Sequence, residues 1–458
     1  MNDITAFFAF LKYCLGYKEN MSRVIAGMNW QQLYSFASKQ AILGLCFEGI
    51  ERLGEEYPEE LKRNPIGREL LMTWMGKAQQ IRRQNRKVNI VASKLFSMLR
   101  EDGMRCCILK GQGNALMYPN SYSRTPGDID VWIDASRERI MEYAQKKFEL
   151  GDDIRLQHLE TSLDGVPVEL HFFPCSMNNP IYHARLQKWF RRNADLQCSH
   201  IVGLPDGAGD IAIPTTAFNV IYQLTHLYHH FFDEGIGMRQ IIDYFLVVND
   251  FSKNVFLDND LSNHPVNFSN HPVPLSKEGS TFSPSPSSSG SGDVTAPSRC
   301  SEPLRSKDGG PSKVSPDCAG WDRLAIEGDN SAGSTTVVTS SASTALVVVQ
   351  RELKYLGLWR FAEAVMYVLH EALGLPEEKM IAPMDERRGK LLLAEILNGG
   401  NFGRHFTKYG AFTHQSMAKK YFLKIWRNMH FVRFFPAEAL SEPIFRTWHF
   451  FWRLKHRR

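Results

Sequence analysis

The stretch Pro126-Gly-Asp-Ile-Asp-Val-Trp-Ile-Asp134 restricts this chain more than any other. Apolar residues alternate with polar or aromatic ones at the period of a strand. Ile129, Val131 and Ile133 therefore point to one face, and Asp128 and Asp130 to the other. Pro126-Gly127 is a turn signal that sets Asp128 at the mouth of the strand. The apolar face has to be buried, so the chain needs a sheet with a core beneath it. The opposite face carries two acids close enough to repel, and a shared divalent cation relieves that repulsion. An edge strand with solvated acids is the plainer reading, and the flanking segments bear on the choice.

Upstream, residues 1–100 are helical in pattern. Trp30, Leu33, Phe36 and Ala37 recur at helical spacing, and 68–100, through Trp74, Ile81, Asn85, Leu95 and Leu99, suggests one long helix or two joined ones. Met104-Arg-Cys-Cys-Ile-Leu-Lys110 then makes a short buried strand. It runs into Gly111-Gln-Gly-Asn-Ala, a strand-to-helix turn whose free backbone N–H groups suit a phosphate, with Lys110 or Arg124 as a side-chain donor. Arg137 to Phe148 is expected as a surface helix, and 154–163 includes a strand around His158.

Downstream, Gly165-Val-Pro-Val-Glu-Leu-His-Phe-Phe173 repeats the alternation. Val166, Val168, Leu170 and Phe172 share one face, Glu169 and His171 the other. If this strand lies beside the Asp128 strand, Glu169 becomes a third acid. Three carboxylates on adjacent strands, next to a glycine-bearing turn, suit two metal ions and a nucleoside triphosphate.

Residues 181–200 form a basic polar helix. From Pro214 onward Ala217, Val220, Ile221, Leu224 and Leu227 mark another, which carries His226, His229 and His230. His226 and His230 have a zinc-compatible spacing but lack the intervening Glu and further ligand of a zinc motif. Arg239 and Asp243 stand four apart, so they either pair with each other or line a cleft. Residues 252–345 are rich in Ser, Pro, Gly and Asn and poor in aromatics. They form a low-complexity insertion expected to be disordered. Residues 345–375 are apolar around most of a helix and end at Gly374 and Pro376. Gly399-Gly-Asn-Phe-Gly403 is a loop able to approach a ligand closely.

Between Arg387 and Arg458 there are 15 Lys and Arg against three acids, with Phe and Trp interleaved. This basic aromatic region, with Lys419, Lys420, Lys424 and Arg427, is a candidate surface for an anionic partner, although a solvated outer face of packed helices gives the same composition. The net charge of +5 over 458 residues gives no general argument for nucleic acid. Eight scattered cysteines without a CxxC pair suggest reduced thiols and a cytoplasmic protein. The apolar N-terminus begins with Asp3 and has no basic n-region, so an amphipathic helix is expected there and not a signal peptide. No apolar run reaches transmembrane length.

The segments Leu109-Lys-Gly-Gln-Gly-Asn-Ala-Leu-Met-Tyr-Pro119, Arg124-Thr-Pro-Gly-Asp-Ile-Asp-Val131 and Val168-Glu-Leu-His171 resemble an uncharacterised bacterial nucleotidyltransferase family of the polymerase β superfamily, in a branch often seen in Bacteroidetes. His226-Leu-Tyr-His-His230, Gly237-Met-Arg-Gln-Ile-Ile-Asp243, Leu358-Trp-Arg-Phe-Ala-Glu-Ala-Val-Met366 and Gly399-Gly-Asn-Phe-Gly403 are similar to it as well. The resemblance implies an α+β fold: a small mixed nucleotidyltransferase-type sheet flanked by helices, followed by a mostly helical C-terminal domain. The expected organisation is a helical region over 1–100, the α/β core over 101–205, a helical domain in two parts over 206–251 and 346–458, and the insertion between them.

By the superfamily's pattern, Asp128, Asp130 and Glu169 would bind Mg2+ or Mn2+ and carry catalysis. Lys110, Gly111, Arg124, His226, His229, Arg239 and Asp243 would contact the nucleotide, with Arg124 facing the departing pyrophosphate. Lys110-Gly111 stands where the superfamily usually has Gly-Ser, further from Asp128 than is usual. The implied reaction moves an NMP group from an NTP, such as ATP, to a hydroxyl on a protein, a small molecule, a glycan precursor or an RNA end. A nucleotide-binding scaffold or sensor without turnover and a metal-dependent phosphohydrolase are the competing readings.

Overall fold

Helices occupy the first hundred residues: α1 (Asp3–Cys14), α2 (Ser22–Ala26), α3 (Trp30–Lys39), α4 (Leu43–Glu56), α5 (Pro58–Arg63) and α6 (Arg68–Glu101). The computed structural model describes residues 3–150, 155–257, 341–405 and 417–455. Local chemistry starts these helices where the sequence offers a cap. Asn29 accepts a hydrogen bond from the Gln32 backbone N–H to open α3. Helix α6 is a single helix of 34 residues.

The sheet follows: β1 (Cys106–Leu109), α7 (Gly111–Ala115), β2 (Ile129–Ile133), α8 (Arg137–Lys147), β3 (His158–Leu163) and β4 (Val166–His171). Its strand order is β1-β2-β4-β3, with β2 and β4 parallel and both outer pairs antiparallel. Ile129, Val131, Ile133, Val166, Val168 and Leu170 pack on Val88, Val91, Leu95 and Phe96 of α6. The period of two turns Asp130, Trp132, Glu169 and His171 to the other face.

Helix α9 (Pro180–Ser199) opens with Pro180 at its first position and Asn179 as a side-chain cap. A hairpin of β5 (Ile201–Leu204) and β6 (Gly209–Ala212), not expected from the sequence pattern, then turns at Pro205-Asp206-Gly207. Leu204, Ile211 and Ala212 extend the core beneath the sheet.

The remainder is helical: α10 (Thr216–Asp233), α11 (Met238–Leu257), α12 (Ser341–Tyr355), α13 (Trp359–Leu373), α14 (Glu386–Gly399), α15 (Met417–Met429) and α16 (Pro436–Lys455). The apolar run expected as one helix over 345–375 is two helices. The break falls at Gly357, whose φ of +73° suits glycine and whose hydrogen faces the Tyr182 ring, where an added Cβ would come within 2.5 Å. Phe10 and Leu11 of α1 share one core with Tyr222 and Phe231 of α10, Phe245 of α11 and Phe361 of α13. The fold is thus a mixed α+β region with a small helix-flanked sheet, followed by a mostly helical C-terminal region. Helices α11 and α12 take in both ends of the 252–345 tract, while residues 258–340 lie outside the described residues.

Two of the four basic residues expected on an anion-binding surface point inward. Lys424 Nζ lies 3.0 Å from Asp233 Oδ1, and buried Arg427 donates to the Phe231 carbonyl at 2.8 Å. A long amphipathic cation is drawn inward where a buried carboxylate or carbonyl needs a donor. The side chains of Lys419 and Lys420 lie outside the described residues. Among the described residues no helix is long and apolar enough to cross a membrane.

Candidate functional site

The acidic face of the sheet forms one wall of a cavity of about 310 Å3 whose other wall comes from α10 and α11. Asp130 and Glu169 are in register across the parallel β2–β4 pair. Asp128, one residue before β2, stands at the exposed rim. His171 Nε2 is 3.0 Å from Asp130 Oδ1 and 3.1 Å from Glu169 Oε2, so one imidazole spans both carboxylates. His158, opposite His171 in the β3–β4 register, puts Nδ1 3.3 Å from Glu169 Oε2. His158, Glu169 and His171 present ligand atoms within 4.8 Å of one another, a cluster able to hold a metal ion.

Charge is unevenly divided on this wall. Burial disfavours a proton on His171, but its hydrogen bonds and attraction to Asp130 and Glu169 win and push its pKa up to about 9. His158, buried and beside that positive ring, falls to about 4. Burial likewise works against ionised Asp130, yet the Lys110 charge and the His171 hydrogen bond hold it well below the usual carboxylate range. Repulsion from Asp130, with burial and Glu169 adding, lifts Asp128 to about 6.

Lys110 closes β1 in a backbone conformation rare for a residue with a side chain, φ 53° and ψ −129°, and Gly111 follows at φ 38°. Two positive φ values in succession turn the chain from strand straight into α7. Such a conformation costs about 1–3 kcal/mol and persists where the surroundings fix it. Here the ammonium is the anchor, 3.1 Å from Asp130 Oδ2 and 2.7 Å from His226 Nε2. The sequence nominates Lys110 for phosphate; the structure engages it with the central acid.

On the helical wall, His226 and His230 face each other with Nε2 atoms 3.1 Å apart, and their third partner is the Lys110 ammonium and not a metal ligand. Burial, with the Lys110 charge, drives His226 well below its ordinary pKa. His229, one residue along, is buried and lowered too. Arg124 grips Asp243 with two hydrogen bonds of 2.8 Å, and the Tyr118 hydroxyl donates to the same carboxylate at 2.8 Å. Asp243 therefore pairs with Arg124 across the fold, and Arg239, four residues before it, instead donates to the Thr125 carbonyl at 3.1 Å. Arg124 Nη1 and Arg239 Nε are buried and have no hydrogen-bond partner among the described residues.

All ten residues nominated from the sequence line this one cavity, and so do several that were not nominated. His171 had a visible signal, two residues after Glu169 on the same face. His158 had none, because only the β3–β4 register places it opposite His171. For His230 the sequence offers only its spacing from His226. Asp233, Phe402 and Arg404 also reach the wall, the last two from the loop that follows α14.

A family model described as "Uncharacterised nucleotidyltransferase" matches residues 26–262. That span holds every residue lining the cavity except Phe402 and Arg404. No curated protein and no solved structure matches the chain.

Proposed function

Because the chain belongs to the uncharacterised nucleotidyltransferase family, we propose that its cavity transfers an NMP group from a nucleoside triphosphate, such as ATP, to a hydroxyl acceptor. The observation that carries this reading is the in-register Asp130–Glu169 pair, bridged by one imidazole and open to the cavity, with Asp128 at its rim. Clustered carboxylate oxygens suit a hard cation such as magnesium or manganese. Asp128, Asp130 and Glu169 would hold it, and when bound it would supply positive charge for the phosphoryl oxygens and acidify the acceptor hydroxyl.

The chain's own residues do the rest. Lys110 and protonated His171 neutralise the acids, so Asp130 must release Lys110 to act as a ligand, which frees an ammonium for phosphate oxygens. Arg124, oriented by Asp243 and with Nη1 unpartnered, would take charge on the leaving pyrophosphate. Arg239 adds a second guanidinium, and the neutral rings of His226 and His229 line the cavity beside the nucleotide. The same reading takes the chemistry to be that of the polymerase β superfamily in its bacterial branch, with a protein, a small molecule, a glycan precursor or an RNA end as acceptor. It takes the protein to be cytoplasmic, in keeping with the free thiols of Cys14, Cys46, Cys106 and Cys107.

One observation favours a second reading, nucleotide binding without turnover: Lys110 already occupies an oxygen of the central acid. Incubation with each labelled NTP, magnesium and bacterial lysate separates the two. Transfer predicts a labelled acceptor with the wild type and a rate lower by about 10²–10³-fold or more with Asp130→Asn. Equal labelling by both proteins removes Asp130 from the chemistry. Bound nucleotide with no labelled product supports the second reading, and release of labelled phosphate alone supports a phosphohydrolase.

A further inference from the structure

We propose that Phe402 is the platform on which the base of the nucleotide stacks, so that a loop beyond the matched family region makes the cavity prefer a nucleotide to a bare polyphosphate. The proposal deepens the nucleotide reading above and rests on it.

The cavity wall consists largely of carboxylates, guanidiniums, imidazoles and an ammonium. Among the described residues that line it, Phe402 brings the one hydrocarbon ring. A nucleobase has apolar faces that charged groups hold poorly and an aromatic ring holds well, whichever base it is. The ring also sits apart from Asp130. Contacts run from Asp130 to Lys110 at 3.1 Å, to His226 at 2.7 Å and to His230 at 3.1 Å. From His230 to the Phe402 ring the centroids are 5.3 Å apart. This order leaves the triphosphate to the Asp130 end and brings the base to the other.

The backbone carries a second, independent sign. Phe402 has φ 54° and ψ 32°, the left-handed region that residues with a side chain seldom adopt, between Gly400 at φ 63° and Gly403 at φ 62°. Glycine would suit that position better, so a large ring held there against local preference points to the ring itself. The surroundings hold the loop firmly. A Cβ on Gly237 would come within 2.7 Å of Asn401 Cα, so only glycine lets the two backbones meet. Buried Gln40 donates to the Ile396 carbonyl at 3.1 Å and accepts from the Met238 N–H at 2.8 Å, which ties the end of α14 to the start of α11. Arg239 stands 5.5 Å over the Phe402 ring, and its unpartnered Nε is a donor for an oxygen or nitrogen on the edge of the base.

The test measures equilibrium affinity of the full chain, with magnesium present, for each of the four common NTPs and for inorganic tripolyphosphate. Phe402→Gly removes the ring while suiting a φ of +54°, and its melting temperature checks that it folds. Phe402→Trp keeps an aromatic face. The proposal expects the wild type to bind at least one NTP more tightly than tripolyphosphate. Phe402→Gly should weaken that NTP by about 10-fold and leave tripolyphosphate unchanged, while Phe402→Trp retains the affinity. Unchanged NTP affinity in Phe402→Gly overturns the proposal, and so does equal weakening of both probes, which would mark a purely structural loop. A wild type that binds NTP and tripolyphosphate equally overturns the base platform and leaves the phosphate site standing. A wild type that binds neither removes the nucleotide reading and this proposal together.

Discussion

Two histidines line the same cavity and are driven in opposite directions. Burial disfavours protonation of both His171 on the sheet and His230 on α10. His171 has two carboxylates against its Nε2 and rises to about 9. His230 has other histidines and Lys110 for neighbours and falls to about 3, although Asp233 and Asp130 pull the other way. Burial alone therefore does not decide protonation here; the charge of the contacting group does. Against its two carboxylates the His171 ring is charged; among the α10 histidines the His230 ring is neutral.

The largest expected effect comes from breaking the charged side. The His171 contribution to stability is fully present below its ordinary pKa of 6.5 and is lost as pH rises through about 9. It amounts to about 3 kcal/mol. In chelator-containing buffer, urea midpoints of the wild type should fall between pH 6.5 and 9, while those of His171→Gln stay nearly level. Parallel curves would break the contrast between the walls. The His230 contribution runs the other way, present above 6.5 and lost as pH falls toward about 3. With its side chain 20% exposed, roughly 2 kcal/mol is expected. His230→Gln should flatten the acid limb and leave the alkaline limb as it was.

The smallest effect concerns the rim. Asp128 has its folded pKa raised from 3.8 to about 6, so its contribution holds at low pH and is lost as pH rises through 6. Asp128→Asn removes the repulsion with Asp130. At pH 7 it should stabilise the metal-free protein by about 1 kcal/mol, a figure reduced for the exposure of the rim. Destabilisation in denaturant titrations would mean that Asp128 is held by contacts stronger than that repulsion.

Features set by local period were legible in the sequence. Alternation in β2 and β4 was enough to separate Ile129, Val131, Val168 and Leu170 from Asp130 and Glu169, and a 3.6-residue period marked α6 and α10 as helical, while leaving open whether α6 is one helix or two. Features set by distant partners were not. The apolar run breaks at Gly357, whose positive φ is set in the fold and against which the Tyr182 ring lies, a contact invisible in the run itself. His158 depends on strand register, and Arg124 meets Asp243 119 residues away, where an i,i+4 pairing with Arg239 was the local alternative. The β5–β6 hairpin had its signal in Pro205-Asp206-Gly207, but each strand is only four residues long, too short for periodicity to show. Lys424 and Arg427 looked like surface charge because composition cannot tell an outward cation from one drawn to Asp233 or to the Phe231 carbonyl.

The sheet wall is proposed to hold the cation that accompanies the nucleotide. The direct measurement is nucleotide affinity as a function of magnesium concentration for the wild type, Asp130→Asn and Glu169→Gln, with folding of each checked by its melting temperature. The expected result is that wild-type affinity rises with magnesium, that Asp130→Asn abolishes the rise, and that Glu169→Gln keeps part of it through Asp128 and Asp130. A magnesium dependence in Asp130→Asn equal to that of the wild type would contradict it.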